Sequence, residues 1–125
     1  MITPSDYTTI PIEELLESCT TGKAAAWQEF VRRFHCVIAI TAFRIARHWG
    51  ETSPQIIDDL VQDTFLKLCF NRAHLLREFQ LDDPNAIFGF LKVIAVNVAN
   101  DHFKALHAAK RAGNQSTKPF RLTRR

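Results

Sequence analysis

Helical spacing of apolar residues is the feature that most restricts what this chain can become. Ala26, Trp27, Phe30, Val31 and Phe34 form one such set, Ile57, Leu60, Val61, Phe65 and Leu68 a second, and Ile87, Leu91, Ile94, Ala95, Val98 and Leu106 a third. Steps of three and four place each set along one side of an α-helix. No stretch alternates apolar and polar residues with the period of two that a half-buried strand requires. Only 4 glycines and 5 prolines occur in 125 residues, mostly between the periodic segments. The expected fold is therefore all-α, a compact helical domain of about five helices.

Punctuation residues set the expected boundaries. Pro11 to about Cys19 is predicted as a short first helix, with Pro11 in its first turn and Glu13 and Glu14 near the positive end of its dipole. Thr20-Thr21-Gly22 ends it. Lys23 to His35 and Cys36 to Trp49 follow, with or without a break, the second part carrying Val37, Ile40, Phe43 and Ala46 inward and Arg44 and Arg47 outward. Gly50 is a stop, and Ser53-Pro54 reads as a cap and first-turn proline for a helix to about Arg72. Glu78 to Asp83 reads as a loop, and Asp83-Pro84 opens a last helix from about Asn85 to Ala112. The organisation that follows is an N-terminal segment with a short helix (1–21), a helical domain (22–112) and a basic linker or tail (113–125). A chain of this size can bury a continuous core without disulfides or metals.

Charge is distributed unevenly. Through Asp101, 9 Lys and Arg stand against 13 Asp and Glu, a net of −4; beyond it come Lys104, Lys110, Arg111, Lys118, Arg121, Arg124 and Arg125 with no acid. Asn97, Asn100, Lys104, His107 and Arg111 share one side of the last helix. A stripe of amides and cations suits a polyanion whose bases are also read; the competing reading is a solvated face before a basic tail. On the helix from Ser53, Asp59, Gln62 and Asp63 also share a face. That face is either ordinary helix surface with one favourable Asp63–Lys67 pair or a docking site for a basic partner helix.

Little in the chain points to catalysis. Gly22-Lys23 lacks the rest of a phosphate-binding loop. The five histidines form no His-Glu-x-x-His pattern, and no cysteine pair has zinc-ligand spacing. No catalytic residue, metal or cofactor is expected. Cys19, Cys36 and Cys69 are odd in number and far apart, as expected of reduced, structural thiols in the cytoplasm. Met1 to Asp6 lacks the pattern of a signal peptide, and no apolar run approaches the roughly 20 residues that span a bilayer. No membrane partner is expected.

Three segments in order resemble one family. Asp58-Asp59-Leu60-Val61-Gln62-Asp63-Thr64-Phe65-Leu66-Lys67-Leu68 is similar to the E-D-L-V-Q-E-x-F-L-x-L helix of bacterial RNA polymerase sigma factors, the extracytoplasmic-function class in particular. Phe90-Leu91-Lys92-Val93-Ile94-Ala95-Val96-Asn97, with Asp101 and Lys104, resembles that family's W-L-x-x-I-A-x-N-x-x-x-D-x-x-R helix. Gly22, Ala26-Trp27-Gln28-Glu29-Phe30 and Phe34 look like its G-D-x-x-A-F-x-x-L-Y-x-x-Y start. The likeness runs from about Gly22 to Arg111 and covers the family's second conserved region.

The resemblance implies two jobs. Asp59, Gln62 and Asp63 would dock on the clamp-helix coiled coil of the beta prime subunit of core RNA polymerase. The last helix and the loop before it would capture the non-template strand of the promoter minus-ten element and hold a flipped base. Asn97 falls on the family's Asn, Lys92, Lys104, Lys110 and Arg111 would hold phosphates, and Asn100 and His107 lie along the same helix. Phe79 is the expected aromatic wall of the base pocket, with core packing as its alternative. An anti-sigma factor is the regulatory partner the family implies. The sequence departs from the pattern at Phe90, which stands for Trp, at Lys104, which stands for Arg and loses its planar fork, and in the acidic loop Glu78 to Pro84. The family continues into a helix-turn-helix domain, so this chain is expected to be either an excised second-region domain, the reading its linker-like ending favours, or a truncated natural protein. The function expected is a polymerase-binding, promoter-melting domain without enzymatic activity. The alternative is a sigma-like interaction module that binds polymerase or an anti-sigma factor without reading DNA.

Overall fold

The computed structural model describes residues 7–79 and 83–115, with the backbone alone at 71, 72 and 112–115. They form four α-helices, α1 (Ile12–Thr20), α2 (Ala24–His48), α3 (Pro54–Glu78) and α4 (Ala86–Gln115). A 3₁₀ turn precedes them, its Ile10 N–H donating to the Tyr7 carbonyl at 3.4 Å. No strand occurs among the described residues, and the fold is all-α.

The helix ends follow from local chemistry. Thr20 and Thr21 hydroxyls donate to the Glu17 and Ser18 carbonyls at 2.8 and 2.9 Å. Gly22 then turns with φ 85°, a left-handed conformation that costs glycine little. Gly50 does the same at φ 78°, and the Glu51 N–H closes back on the Ala46 carbonyl at 2.9 Å, a Schellman-type stop. Ser53 Oγ accepts from the Ile56 N–H at 3.3 Å, with Pro54 opening α3. Asp83 Oδ1 accepts from the Asn85 N–H at 2.7 Å, a turn that leads into α4.

α2 runs unbroken through His35-Cys36, one of the two alternatives the sequence left open. Three expectations need correction. α3 continues past Arg72 to Glu78, with Ala73 in it at φ 58°, a left-handed residue worth about 1–2 kcal/mol of strain. α4 extends through Gly113-Asn114-Gln115, which linker chemistry had placed outside it. Ile40 and Phe43 point outward and are 53% and 43% exposed, because the inward row of α2 is Phe34, Ile38, Ala42 and Ala46, a strict four-residue step. Expectations for Gln80 to Asp82 of the loop, for Met1 to Asp6 and for the cations from Lys118 onward lie outside the described residues.

Two packed clusters position the helices. The larger joins Leu15, Leu16 and Cys19 of α1 to Phe30, Phe34 and Ile38 of α2, Leu68 and Leu76 of α3 and Leu91 of α4, so the N-terminal helix shares one core with the rest. In the smaller, alanines at Ala42, Ala46 and Ala99 let α2 and α4 approach closely, and Phe103 fills the space beside Leu60. Trp49, just past α2, stacks on Phe103 with ring centroids 5.8 Å apart and 16° between planes.

A buried carboxylate fastens the N-terminal segment. Glu29 is 2% exposed, accepts from Arg32 at 2.8 and 2.7 Å and from Arg33 at 2.7 Å. Arg33 also donates to the carbonyls of Tyr7 at 3.0 Å and Ile10 at 2.8 Å. Hydrogen bonds from Arg32, reinforced by Arg33, hold the Glu29 carboxyl down at about 2 despite burial.

Candidate functional site

The helix α3 has one face in the core and one in solvent. Leu60, Val61, Thr64 and Leu68 are buried, and the Thr64 hydroxyl is satisfied by donating to the Leu60 carbonyl at 2.7 Å. Asp58, Asp59, Gln62 and Asp63 are exposed. Among the described residues Asp63 and Lys67 form no ion pair, nor does Asp59. The acid-amide face therefore carries its charge unneutralised, as a docking surface requires. Leu66 and Phe70 continue the same side, 60% and 74% exposed. Sequence reasoning assigned neither of them a role, although their positions four and seven beyond Gln62 and Asp63 were the signal.

The expected DNA-binding residues divide into three groups. Asn97, Lys104 and Arg111 are exposed, seven residues apart on one side of α4, and make no hydrogen bond or ion pair with another described residue. Asn100 and His107 stand beside them but are engaged by Trp49. The indole N–H donates to Asn100 Oδ1 at 3.2 Å, and the His107 ring meets the indole edge-on at 4.7 Å. Lys92 and Lys110 are exposed but rotated about 140° from Asn97 at 100° per residue, and Lys110 lies 3.8 Å from Glu51. Asp101 sits on the Asn97 side of the helix, between Asn97 and Lys104, and is also exposed.

Phe79 stacks on Phe90, centroids 4.4 Å apart and 28° between planes, and packs against the larger core cluster. Part of it lines a cleft of about 490 Å³ together with Glu13, Glu17, Leu16, Thr20, Leu76 and Arg77. The packing of Phe79 on Phe90 and the larger core cluster is the alternative the sequence offered for it. Trp49 was the residue the sequence did not single out, since one aromatic after a helix carries no sign of its partner 51 positions away.

The thiols are not a spread-out set. Cys36 and Cys69 are exposed and Cys19 is buried, and Cys19 and Cys69 line one cavity of about 320 Å³ with Thr20, Thr21, Gly22, Trp27 and Ala73. Burial, with the nearby Cys69 thiol adding to it, pushes Cys19 up to about 12, and burial also raises Cys69. Both thiols stay protonated at neutral pH, which suppresses nucleophilic attack. Among the described residues no group of three or more His, Cys, Asp or Glu is placed to hold a metal ion, and no helix is long and apolar enough to cross a membrane. No protein-family model, curated protein or solved structure matches the chain.

Proposed function

We propose that this chain is a sigma-factor second-region domain, which binds core RNA polymerase through α3 and reads the non-template strand of the promoter minus-ten element along α4, without enzymatic activity. The reading is supported by one observation above others. The acid-amide residues of the resemblance and its Asn and Lys stand on two different helices, all exposed and all without a hydrogen-bond or ionic partner among the described residues. In this reading Asp59, Gln62 and Asp63 meet the basic clamp helices of beta prime, Asn97 hydrogen-bonds a base edge, and Lys104 and Arg111 hold phosphates. An Asn amide offers both a donor and an acceptor to a base, while cations position the strand without reading it. Cytoplasmic location and control by an anti-sigma factor follow from the same reading.

Asn97 and Lys104 substitutions are expected to leave different signatures in a complex of the protein with core polymerase. Lys104→Ala should weaken all minus-ten single strands alike and lower the salt slope by roughly 0.7, the counterion term for one single-strand phosphate contact. Asn97→Ala should instead flatten the ranking of strands varied at each minus-ten position, by about 1–3 kcal/mol if it behaves as other base contacts do. A ranking unchanged by Asn97→Ala removes Asn97 from the reading site.

That outcome would favour the second reading, a module that binds polymerase or an anti-sigma factor without reading DNA. A specific observation supports it. Trp49 engages Asn100 and His107, and Phe79 stacks on Phe90, which leaves fewer of the expected DNA residues available than the stripe suggests.

A further inference from the structure

Two exposed stripes on this molecule are complementary to each other. On α2, Cys36, Ile40, Phe43 and Arg47 lie within about 60° of rotation, with Arg44 beside them, and all five are exposed. From its buried Glu29 to its end, α2 carries no further acidic residue. On α3, Asp59, Asp63, Leu66 and Phe70 lie within about 60° of one another, and all are exposed. Neither Arg44, Arg47, Asp59 nor Asp63 has an ionic partner among the described residues. The order of chemistry is opposite on the two helices: apolar then basic along α2, acidic then apolar along α3.

From these stripes we infer that the α2 stripe of one copy of this chain docks antiparallel on the α3 stripe of a second copy. Both stripes span eleven residue steps, Cys36 to Arg47 and Asp59 to Phe70, about 16 Å at 1.5 Å per residue. Laid antiparallel in one register, Cys36 faces Phe70, Ile40 faces Leu66, Arg44 faces Gln62 and Arg47 faces Asp59, while Phe43 falls opposite Asp63, next to Arg44. Apolar meets apolar at one end of the pairing and cations meet acids at the other, with Phe43 at the junction and no like charges opposed. A nucleic acid does not fit the α2 stripe, whose two exposed large apolar side chains would be set against phosphates. If both stripes of each copy are used reciprocally, the contact closes as a two-fold dimer; used once, it propagates head to tail. A pairing of about three turns is smaller than the roughly 800 Å² per partner of a standard interface, so the association is weak and salt-sensitive.

The test is sedimentation equilibrium of the whole chain at low ionic strength, over about two decades of concentration up to about 500 µM. The weight-average mass should rise from 14.3 kDa towards at least twice that value. Arg44→Glu with Arg47→Glu, and separately Asp59→Arg with Asp63→Arg, should each keep the monomer mass with unchanged helicity, and an equimolar mixture of the two variants should associate again. A wild-type chain that stays monomeric throughout overturns the inference. So does association that neither double variant reduces, or a mixture that fails to restore it. No polymerase is present in this measurement, so its failure is distinct from a failure of the function proposed above, although both use Asp59 and Asp63 and the two contacts would exclude one another.

Discussion

Replacing Phe103 with alanine is expected to destabilise the domain by about 3–5 kcal/mol, the cost of emptying a fully packed aromatic site. Phe103 is buried completely, and the cluster around it is built from Ala42, Ala46, Ala99 and Leu60. Alanines cannot move inward to fill a void, so relaxation should recover little of the lost contact. The Trp49 indole, stacked on Phe103 and bonded to Asn100, would lose its platform as well. Urea denaturation followed by circular dichroism measures the effect directly. A loss below about 1 kcal/mol would mean that the α2–α4 junction repacks and is not the rigid support argued here.

The second large effect is expected at Glu29. Glu29→Gln keeps the shape but removes the charge that faces Arg32 and Arg33; because Arg32 is largely exposed and Arg33 keeps its carbonyl partners, the expected loss is about 1.5–3 kcal/mol, the range for hydrogen bonds to a charged group. The sign of its pH dependence follows from the carboxyl's shift from an ordinary 4.5 to about 2. A depressed carboxyl contributes stability that is present above 4.5 and is lost as the pH falls towards 2. The wild-type chain should therefore lose stability faster than Glu29→Gln between those values, and the two curves should converge near pH 2. Parallel curves across that window would show that Glu29 is not held as a carboxylate by its arginines. The Tyr7 to Ile10 segment, held by Arg33 as well as by the packing of Tyr7 and Ile10 on the larger core cluster, should gain hydrogen exchange in the variant before the helices do.

Most of the architecture was readable because it rests on local chemistry. Gly22, Gly50, Ser53-Pro54 and Asp83-Pro84 announce helix ends through backbone conformations and caps that need no distant partner. Ala73 announces nothing, since a left-handed alanine is imposed by its surroundings and not by its side chain. Periodicity named the inward face of α3 correctly but misplaced Ile40 and Phe43 on α2. Apolar residues occur on two sides of that helix, and only the packing of Ala42 and Ala46 against α4 decides which side is inside. The exposed acid-amide face was legible from spacing alone, because a helix with one apolar stripe leaves the opposite side to water. The engagement of Asn100 and His107 by Trp49 was not, as it joins residues half the chain apart. The same holds for Cys19 and Cys69, whose shared cavity contradicts the impression of isolated thiols.

The central claim is that α3 carries the polymerase contact, and a pull-down of purified core RNA polymerase by the whole chain tests it most directly. Asp63 is exposed and has no ionic partner among the described residues, so Asp63→Arg should leave helicity and melting temperature close to wild type, surface changes of this kind being worth about 0.5 kcal/mol or less. Set against the basic clamp helices, the reversed charge should weaken retention at least tenfold, about 1.4 kcal/mol, while Arg44→Glu on the opposite stripe leaves it unchanged. Equal retention of wild type and Asp63→Arg, or no retention of either at low salt, would contradict the account.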